Sequence, residues 1–334
     1  MYLRGFLIFL LVFALNGNAV SQSVGITPVI TGAENFRGGT RPLFPAALFT
    51  QDLAARDARE AARPFWVPTE EEAAHSPYHQ SILLNNLILA FYGHPLSRYM
   101  GIIGRYSKEE LLRQLTVLAE EYKAISGKNV IKAFYLIYGT VWPAGEIGII
   151  RESVLREWIQ FTLENNMLIF LDHQIGRFDP HDSLRRMFPY LKYPHVHLAL
   201  DPEWRTDRPM EVIGHLTAAE INQAQRVMED FMIENNIPGE RMLVIHQFNH
   251  IMIRNRPDVR ADFAQVRLVH CISGIGSPAM KKATYEFGAR ATNMPVKGFK
   301  LWFDFGIPGH TDIPLMTPAQ VMGLNPRPYV IMYQ

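Results

Sequence analysis

Short apolar runs alternate with segments of helical period along most of this chain, and no other feature of the sequence constrains the fold as much. The apolar runs are rich in β-branched and aromatic residues, which is typical of strands that are buried on both faces. Eight such runs follow one another, at 87–93, 130–139, 167–174, 196–204, 241–248, 266–274, 298–306 and 329–334. Strands that alternate with helices pair in parallel and carry the helices on the outside of the sheet.

The segments between the apolar runs carry helix signals. Residues 108–125 place leucines on one stripe of a helix, and Thr217 and Glu220 have the spacing of a capping box. Helices are predicted over 108–125, 152–166, 180–192, 217–236, 278–292 and 317–324.

Eight β/α units in roughly 245 residues match a closed (β/α)8 TIM barrel, for which about 250 residues is typical. The alternative is an open, doubly wound α/β sheet. No G-x-G-x-x-G turn follows the first run, where YGHPLSRYMGIIGRY stands instead, which argues against that alternative. We therefore predict an α/β chain with a (β/α)8 barrel over residues 81–334.

The first residues have the composition of a targeting signal. Arg4 precedes the apolar run 5–15, and the small residues Ala19 and Ser21 follow it, so residues 1–21 are predicted to be a signal peptide. The run is shorter than the about 20 residues that span a bilayer. We expect an exported protein, periplasmic or extracellular, with no stable membrane insertion after cleavage. Residues 22–80 are predicted to be a partly irregular N-terminal extension.

Composition excludes several classes of partner. Lys and Arg total 33 against 32 Asp and Glu, so the chain has no electrostatic footprint for nucleic acid. A single cysteine, Cys271, excludes a disulfide framework within the chain and a cysteine-rich metal site. It lies in the apolar run VRLVHCI, where we expect it to be buried packing.

Catalytic groups of a (β/α)8 barrel lie at the carboxyl ends of the strands, so the polar residues that end each apolar run are the candidates. Asp172 and Gln174 are two residues apart at the end of one run and should share a face. Asp201 and Glu203 have the same spacing at the end of the next. Because buried charge is costly unless it is paired, carboxylates at the ends of apolar runs indicate either a functional site or a paired charge.

Other polar and aromatic residues end the remaining runs, and we predict that they bind substrate together with Gln174. Sugar rings are bound by aromatic faces and by polar groups that fix their hydroxyls. For the second run the sequence leaves Tyr135 and Tyr138 open. The predicted substrate-binding residues at the other ends are Tyr92, His94, Trp204, His246, Gln247, Lys300, Trp302 and Asp304.

This set of residues favours a glycoside hydrolase that acts on a carbohydrate or a cell-envelope glycan. Such an enzyme needs two carboxyl groups across the scissile bond. Glu203, between Pro202 and Trp204, is in an apolar setting that raises a carboxyl pKa, so it is the predicted general acid. Asp172 or Asp201 would be the second carboxylate. A structural alternative leaves Asp201 capping a loop and Asp172 paired with Arg177.

Two other functions are compatible with the same pattern. One is a non-catalytic barrel that binds an envelope glycan or a partner protein. The other is a phosphodiester or metal-dependent hydrolase that uses His94, His246 and His270, which end three different runs. The pair His195 and His197 begins its run, so it should lie at the opposite face of the barrel. No spacing supports a metal site, and no cofactor is predicted. No G-x-S-x-G motif is present.

The segments YGHP, GRY, LDHQIGR, HLALDPEWR, IGHLTAAEIN, LVIHQFNHIMIRNR, GFKLWFDFG, TPAQVM and NPRPYVIMYQ together resemble an uncharacterised family of exported bacterial proteins. Its members carry LDxQ, ALDPEW and HQF segments, and the resemblance covers roughly residues 88–334. It implies a glycoside-hydrolase-like barrel and assigns no reaction.

This chain departs from the family pattern in three places. Ser273-Gly274 stands where Asp-Gly is expected, Glu146 stands where an Asp is expected, and no lipidation cysteine follows the signal. The first departure puts a catalytic carboxylate on the sixth strand in doubt. A shorter likeness is to the catalytic motif of chitinase-like barrels, which ends in Asp-x-Glu as Asp201 and Glu203 do. The earlier aspartate of that motif is Ala199 here.

Overall fold

The structure of the protein is a computed structural model that describes residues 81–83, 86–307 and 309–334. The predicted signal peptide 1–21 and the whole of the predicted extension 22–80 lie outside the described residues. The strands are β1 (Asn86–Gly93), β2 (Asn129–Val141), β3 (Ile147–Ile149), β4 (Leu168–Gln174), β5 (Val196–Asp201), β6 (Leu216–Thr217), β7 (Arg241–Gln247), β8 (Ile253–Arg254), β9 (Val266–Ile272), β10 (Lys297–Leu301) and β11 (Val330–Tyr333).

Helices lie between the strands of the described chain. The α-helices are α1 (Lys108–Ser126), α2 (Glu152–Glu164), α3 (Pro180–Arg185), α4 (Ala218–Glu234), α5 (Pro278–Ala289) and α6 (Pro318–Met322). Short 3-10 helices occupy Ile103–Arg105, Phe188–Lys192, Pro202–Trp204, His250–Met252 and Arg256–Asp258. No helix within the described ranges is both long enough and apolar enough to cross a membrane.

Eight parallel strands close into a barrel in the order β1-β11-β10-β9-β7-β5-β4-β2, because β1 pairs with both β11 and β2. The register places Ala90 beside Met332 on one side of β1 and Tyr92 beside Tyr135 on the other. β3 is antiparallel to β2 and extends the sheet beyond the barrel. The predicted (β/α)8 TIM barrel is confirmed.

Alternate residues of each strand face the inside and the outside of the barrel. Ile88 and Ala90 of β1 belong to a cluster that fills the interior. Leu89 and Phe91 of the same strand belong to the larger cluster between the strands and the helices. The interior is therefore a packed core, and polar residues enter it mainly near the carboxyl ends of the strands.

Two predicted strands end earlier than their apolar runs. The run 196–204 leaves the sheet at Asp201, because Pro202 has no N–H to donate and begins a 3-10 helix. The run 298–306 leaves it at Leu301. The prediction that Asp201 and Glu203 share a face because they are two residues apart on one strand is therefore wrong, since Glu203 lies beyond the end of β5. Loops position the residues beyond each strand.

The helix prediction over 180–192 is confirmed only in part. α3 ends at Arg185, and a separate 3-10 helix covers Phe188–Lys192. Pro189 lies in the first turn of that second helix. A proline there is tolerated because its missing N–H would have no partner in the helix, but it cannot continue a preceding α-helix.

The capping box predicted for α4 is present. The Thr217 hydroxyl accepts the Glu220 N–H at 3.2 Å, and the Glu220 carboxylate accepts the Thr217 N–H at 2.8 Å. The guanidinium of Arg205 lies 2.6 Å from the same carboxylate, which ties the loop after β5 to the start of α4.

We expect Thr217→Ala to lower the free energy of unfolding by about 1 kcal/mol, because it leaves helix N–H groups without a partner. Chemical denaturation measures the loss. Thr116→Ala, inside α1, is the matched control: its hydroxyl bonds to the Leu112 carbonyl and caps no helix. A loss at Thr116 equal to that at Thr217 would argue against the capping role.

Candidate active site

Asp172 occupies the interior of the barrel near the end of β4 and is fully buried. Its Oδ2 accepts a hydrogen bond from the Tyr92 hydroxyl at 2.9 Å and lies 3.6 Å from Nε2 of His246. The Tyr135 hydroxyl lies 2.9 Å from the same nitrogen. Oδ1 of Asp172 is buried and has no hydrogen-bond partner among the described residues. Only Oδ2 of the Asp172 carboxyl group is thus held by a neighbouring side chain.

Asp201 is the last residue of β5, and the register places it beside Gln174 of β4. Its carboxylate accepts the Glu203 N–H at 3.2 Å and a hydrogen bond from the Trp204 side chain. The expectation that Asp201 caps a loop is therefore confirmed, since it caps the 3-10 helix Pro202–Trp204. Glu203 lies in that helix and is half-buried, whereas Asp172 and Asp201 are buried.

Lys300 brings a positive charge to the same mouth of the barrel. It lies near the end of β10 and is buried. Its ammonium lies 3.7 Å from the centre of the Tyr92 ring and 4.5 Å from the centre of the Trp302 ring. Aromatic faces attract cations, so the two rings favour the ammonium in this position.

The three carboxyl groups and the ammonium are electrostatically coupled. Burial raises the pKa of Asp172 to about 8, and the charge of Asp201 adds to the rise, against Lys300 and the Tyr92 hydroxyl. Burial and the charge of Asp201 also raise the pKa of Glu203 to about 8, again opposed by Lys300. The charge of Asp201 thus acts on both neighbours.

Asp201 is the carboxyl group best suited to hold the negative charge. Burial raises its pKa too, but Lys300, the Glu203 N–H and Trp204 oppose the rise. Lys300 and these hydrogen bonds therefore favour the ionised form of Asp201, whereas burial and the charge of Asp201 favour the protonated forms of Asp172 and Glu203. His246 is neutral, because burial, and then Lys300, lower its pKa well below the ordinary range.

Other predicted residues reach the mouth without touching these carboxyl groups. Gln174 accepts the Val141 N–H at 2.9 Å and so holds the hairpin between β2 and β3. His94 lies in the loop after β1, where its Nδ1 accepts the Leu96 N–H. Asp304 is exposed in the loop after β10 and accepts the Gly306 N–H at 2.9 Å.

The structure places Gln247 outside the barrel, which corrects the prediction that it binds substrate beside His246. Successive residues of a strand point to opposite faces, so only one of the two can face the interior. Oε1 of Gln247 lies 2.8 Å from Nε2 of His270, and Nδ1 of His270 lies 3.3 Å from the Lys297 ammonium. The histidines of the hydrolase alternative therefore do not converge, since His246 and His270 face opposite sides of the wall.

The histidines beside the start of β5 make structural contacts, and potential metal ligands do not cluster within the described part of the chain. His195 and His197 lie at the start of β5, as predicted, where Nδ1 of His197 accepts the Met242 N–H at 3.0 Å. No group of three or more potential metal ligands occurs among the residues that the structure describes. The Arg177 guanidinium lies 5.8 Å from the centre of the Phe178 ring and forms no ion pair with Asp172, so that structural alternative is wrong.

Three residues of the site were missed or left open by sequence reasoning. Tyr135 was one of two candidates on its strand, and the structure selects it because Tyr138 belongs to the outer cluster. Lys281 of α5 and Asp312 of the loop after β10 form a buried ion pair at 3.0 Å. Neither residue ends a strand, so a search for polar residues at strand ends does not identify them.

Comparisons with known proteins find a weak structural likeness and no matching family. No family model matches the chain, and no curated protein matches it. Among solved structures, a chitinase from Chromobacterium violaceum ATCC 12472 aligns over 65% of this chain and 69% of that chain, with 12% identity and a TM-score of 0.35. At that TM-score the likeness carries no argument, so the barrel is established by its strand pairing. The resemblance to an exported family stays a prediction.

The raised pKa of Asp172 predicts a pH dependence of stability. Between its ordinary value of 3.8 and about 8, the folded protein keeps a proton that the unfolded chain has lost. This contribution to stability is complete below the lower value and is lost as the pH rises through the upper one. We expect the free energy of unfolding to fall over this interval, and Asp172→Asn to make the fall shallower by up to about 1.4 kcal/mol per pH unit.

Urea denaturation at several pH values measures both slopes. Asp304→Asn changes an exposed carboxyl group and should keep the slope of the unchanged protein. Equal slopes in all three proteins would show that Asp172 has an ordinary pKa.

Proposed function

We propose that this protein is a glycoside-hydrolase-like enzyme that acts on a carbohydrate or a cell-envelope glycan by carboxylate acid/base catalysis. One observation carries the proposal: three carboxyl groups and one ammonium are coupled at the carboxyl-end mouth of the barrel. One of those carboxyl groups, Glu203, is half-buried and has a pKa of about 8. Barrels of this class place their catalytic groups at this face.

Glu203 takes the role of general acid in this proposal. A general acid must hold its proton at the working pH and release it to the departing oxygen. A pKa of about 8 keeps Glu203 protonated at neutral pH. It is also the most accessible of the three carboxyl groups, so a glycosidic oxygen can approach it.

Asp201 takes the role of the second carboxylate, as base or nucleophile. Two N–H donors and the charge of Lys300 favour its ionised form. Asp172, which the sequence left as the other option, lies between Tyr92 and His246, and burial together with the charge of Asp201 favours its protonated form. Trp204 and Trp302, which are half-buried, supply aromatic faces for sugar rings. Tyr92 is buried, and its ring face holds the Lys300 ammonium instead. Lys300, Gln174 and His246 complete the buried polar lining.

Export to the periplasm or the cell exterior is part of the proposal. It is supported by the sequence of residues 1–21, and a chain with a single cysteine is compatible with export without disulfides. An envelope glycan is a substrate that an exported enzyme meets.

We expect Glu203→Gln to lower kcat on a cleaved glycan about 100- to 10,000-fold, the usual contribution of a general acid, while binding persists. Reducing-end release on a panel of envelope glycans measures turnover, and calorimetry measures binding. Glu146→Gln, an exposed carboxyl group after β2, is the matched control and should retain activity. Absence of turnover by the unchanged protein on every glycan, with binding retained, would instead support the non-catalytic barrel.

The protonated state of Glu203 also predicts the alkaline limit of activity. As the pH rises through about 8 the acid loses its proton, so kcat should fall tenfold per pH unit beyond it. On the acid side, activity should fall as Asp201 becomes protonated. A pH–rate profile on a glycan substrate measures both limbs. A rate that stays constant to about pH 10 would remove Glu203 from the acid role.

A further inference from the structure

Lys281 and Asp312 form an ion pair that is almost completely buried, with exposed fractions of 1% and 2%. The Lys281 ammonium lies 3.0 Å from Oδ2 of Asp312. It also donates to the backbone carbonyl oxygens of Gly274 and Lys300, each at 2.5 Å. One end of the pair is therefore bonded directly to the backbone of the residue that carries the active-site ammonium.

Asp312 is bonded to the neighbouring backbone in the same way. Its Oδ2 accepts the Trp302 N–H and its Oδ1 accepts the Gly276 N–H, both at 2.9 Å. In return the Asp312 N–H donates to the Trp302 carbonyl at 3.0 Å. The pair thus joins the end of β10, the loop that follows it and the loop between β9 and α5.

These backbone positions determine where the Lys300 ammonium lies. Lys300 and Trp302 are fixed on either side of Leu301, and the ammonium rests between the rings of Tyr92 and Trp302. The Trp302 indole N–H donates to the Ser273 carbonyl at 3.3 Å, in the same loop that the pair holds. A shift of Trp302 would remove one of the two faces that hold the ammonium.

We propose that Lys281 and Asp312 are positioning residues that hold Lys300 in place and thereby set the ionisation of the active-site carboxyl groups. Neither residue touches the carboxyl groups itself. Their effect passes through Lys300, whose charge opposes the pKa rise of Asp172, Asp201 and Glu203. The proposal concerns proton affinities, so it holds or fails whether or not a glycan is cleaved.

A buried ion pair is not by itself evidence of a gain in stability. Apolar residues of similar volume often replace a buried ion pair without loss of stability, whereas removal of one partner leaves a buried charge uncompensated. The double variant K281M/D312L removes both charges, keeps the net charge and leaves an apolar contact. It therefore separates the positioning effect from a general loss of the fold.

The test is a carboxyl-carbon NMR titration of the full chain, which reports the proton affinity of each aspartate and glutamate. We expect K281M/D312L to raise the titration midpoints of Asp172 and Glu203, in the direction that K300M produces by removing the ammonium itself. D312N keeps the side-chain shape but leaves the Lys281 charge without its partner, so its midpoints are read only if it is folded, and a rise is expected there too. Circular dichroism confirms that each variant is folded.

K297M is the matched control, because Lys297 is another buried lysine of β10 that bonds to the Gly288 and Ala291 carbonyls on the outer wall. It should leave the carboxyl midpoints unchanged. The proposal is overturned if K300M raises the midpoints while folded K281M/D312L and D312N do not. It is also overturned if K297M raises them as much as the double variant, because the effect would then be a general loosening of the barrel.

Discussion

Closure of the barrel is the constraint on which the rest of the structure depends. Once β1 pairs with both β2 and β11, the eight parallel strands form a closed ring, and each strand must turn alternate residues into one interior. That interior is apolar over most of its depth. Polar side chains on different strands, such as Asp172, His246 and Lys300, are thereby brought into one buried group near the carboxyl ends. Closure assembles the site, although no two of these residues are close in sequence.

Burial then decides the chemistry of the group. A carboxyl group in water would be ionised at neutral pH, but in this interior burial is the largest cause of the raised pKa of each of the three acids. One ammonium, Lys300, offsets part of that cost and favours one negative charge over three. Burial and the neighbouring charges thus favour the protonated form of Asp172 and Glu203, while Lys300 and two hydrogen bonds favour the ionised form of Asp201.

Part of this arrangement could be read from the sequence. The eight strands were located within a few residues, since buried parallel strands and amphipathic helices have different periods. The rule that barrel sites lie at the carboxyl ends of strands then selected Asp172, Asp201, Glu203, His246 and Lys300. Strand parity failed where a strand ended early, at Pro202 for example, because the periodicity of a strand does not apply to the loop after it.

The sequence by itself determined the class of fold and which strand ends carry polar groups, because local periodicity and chain length are enough to specify an alternating β/α barrel. Only the tertiary structure decided which side of the wall each neighbour faces, as with His246 inside and Gln247 outside. It alone also revealed the pair of Lys281 and Asp312, which lies on a helix and a loop. Contacts between residues far apart in sequence, and the burial that shifts their pKa values, exist only after the barrel has closed.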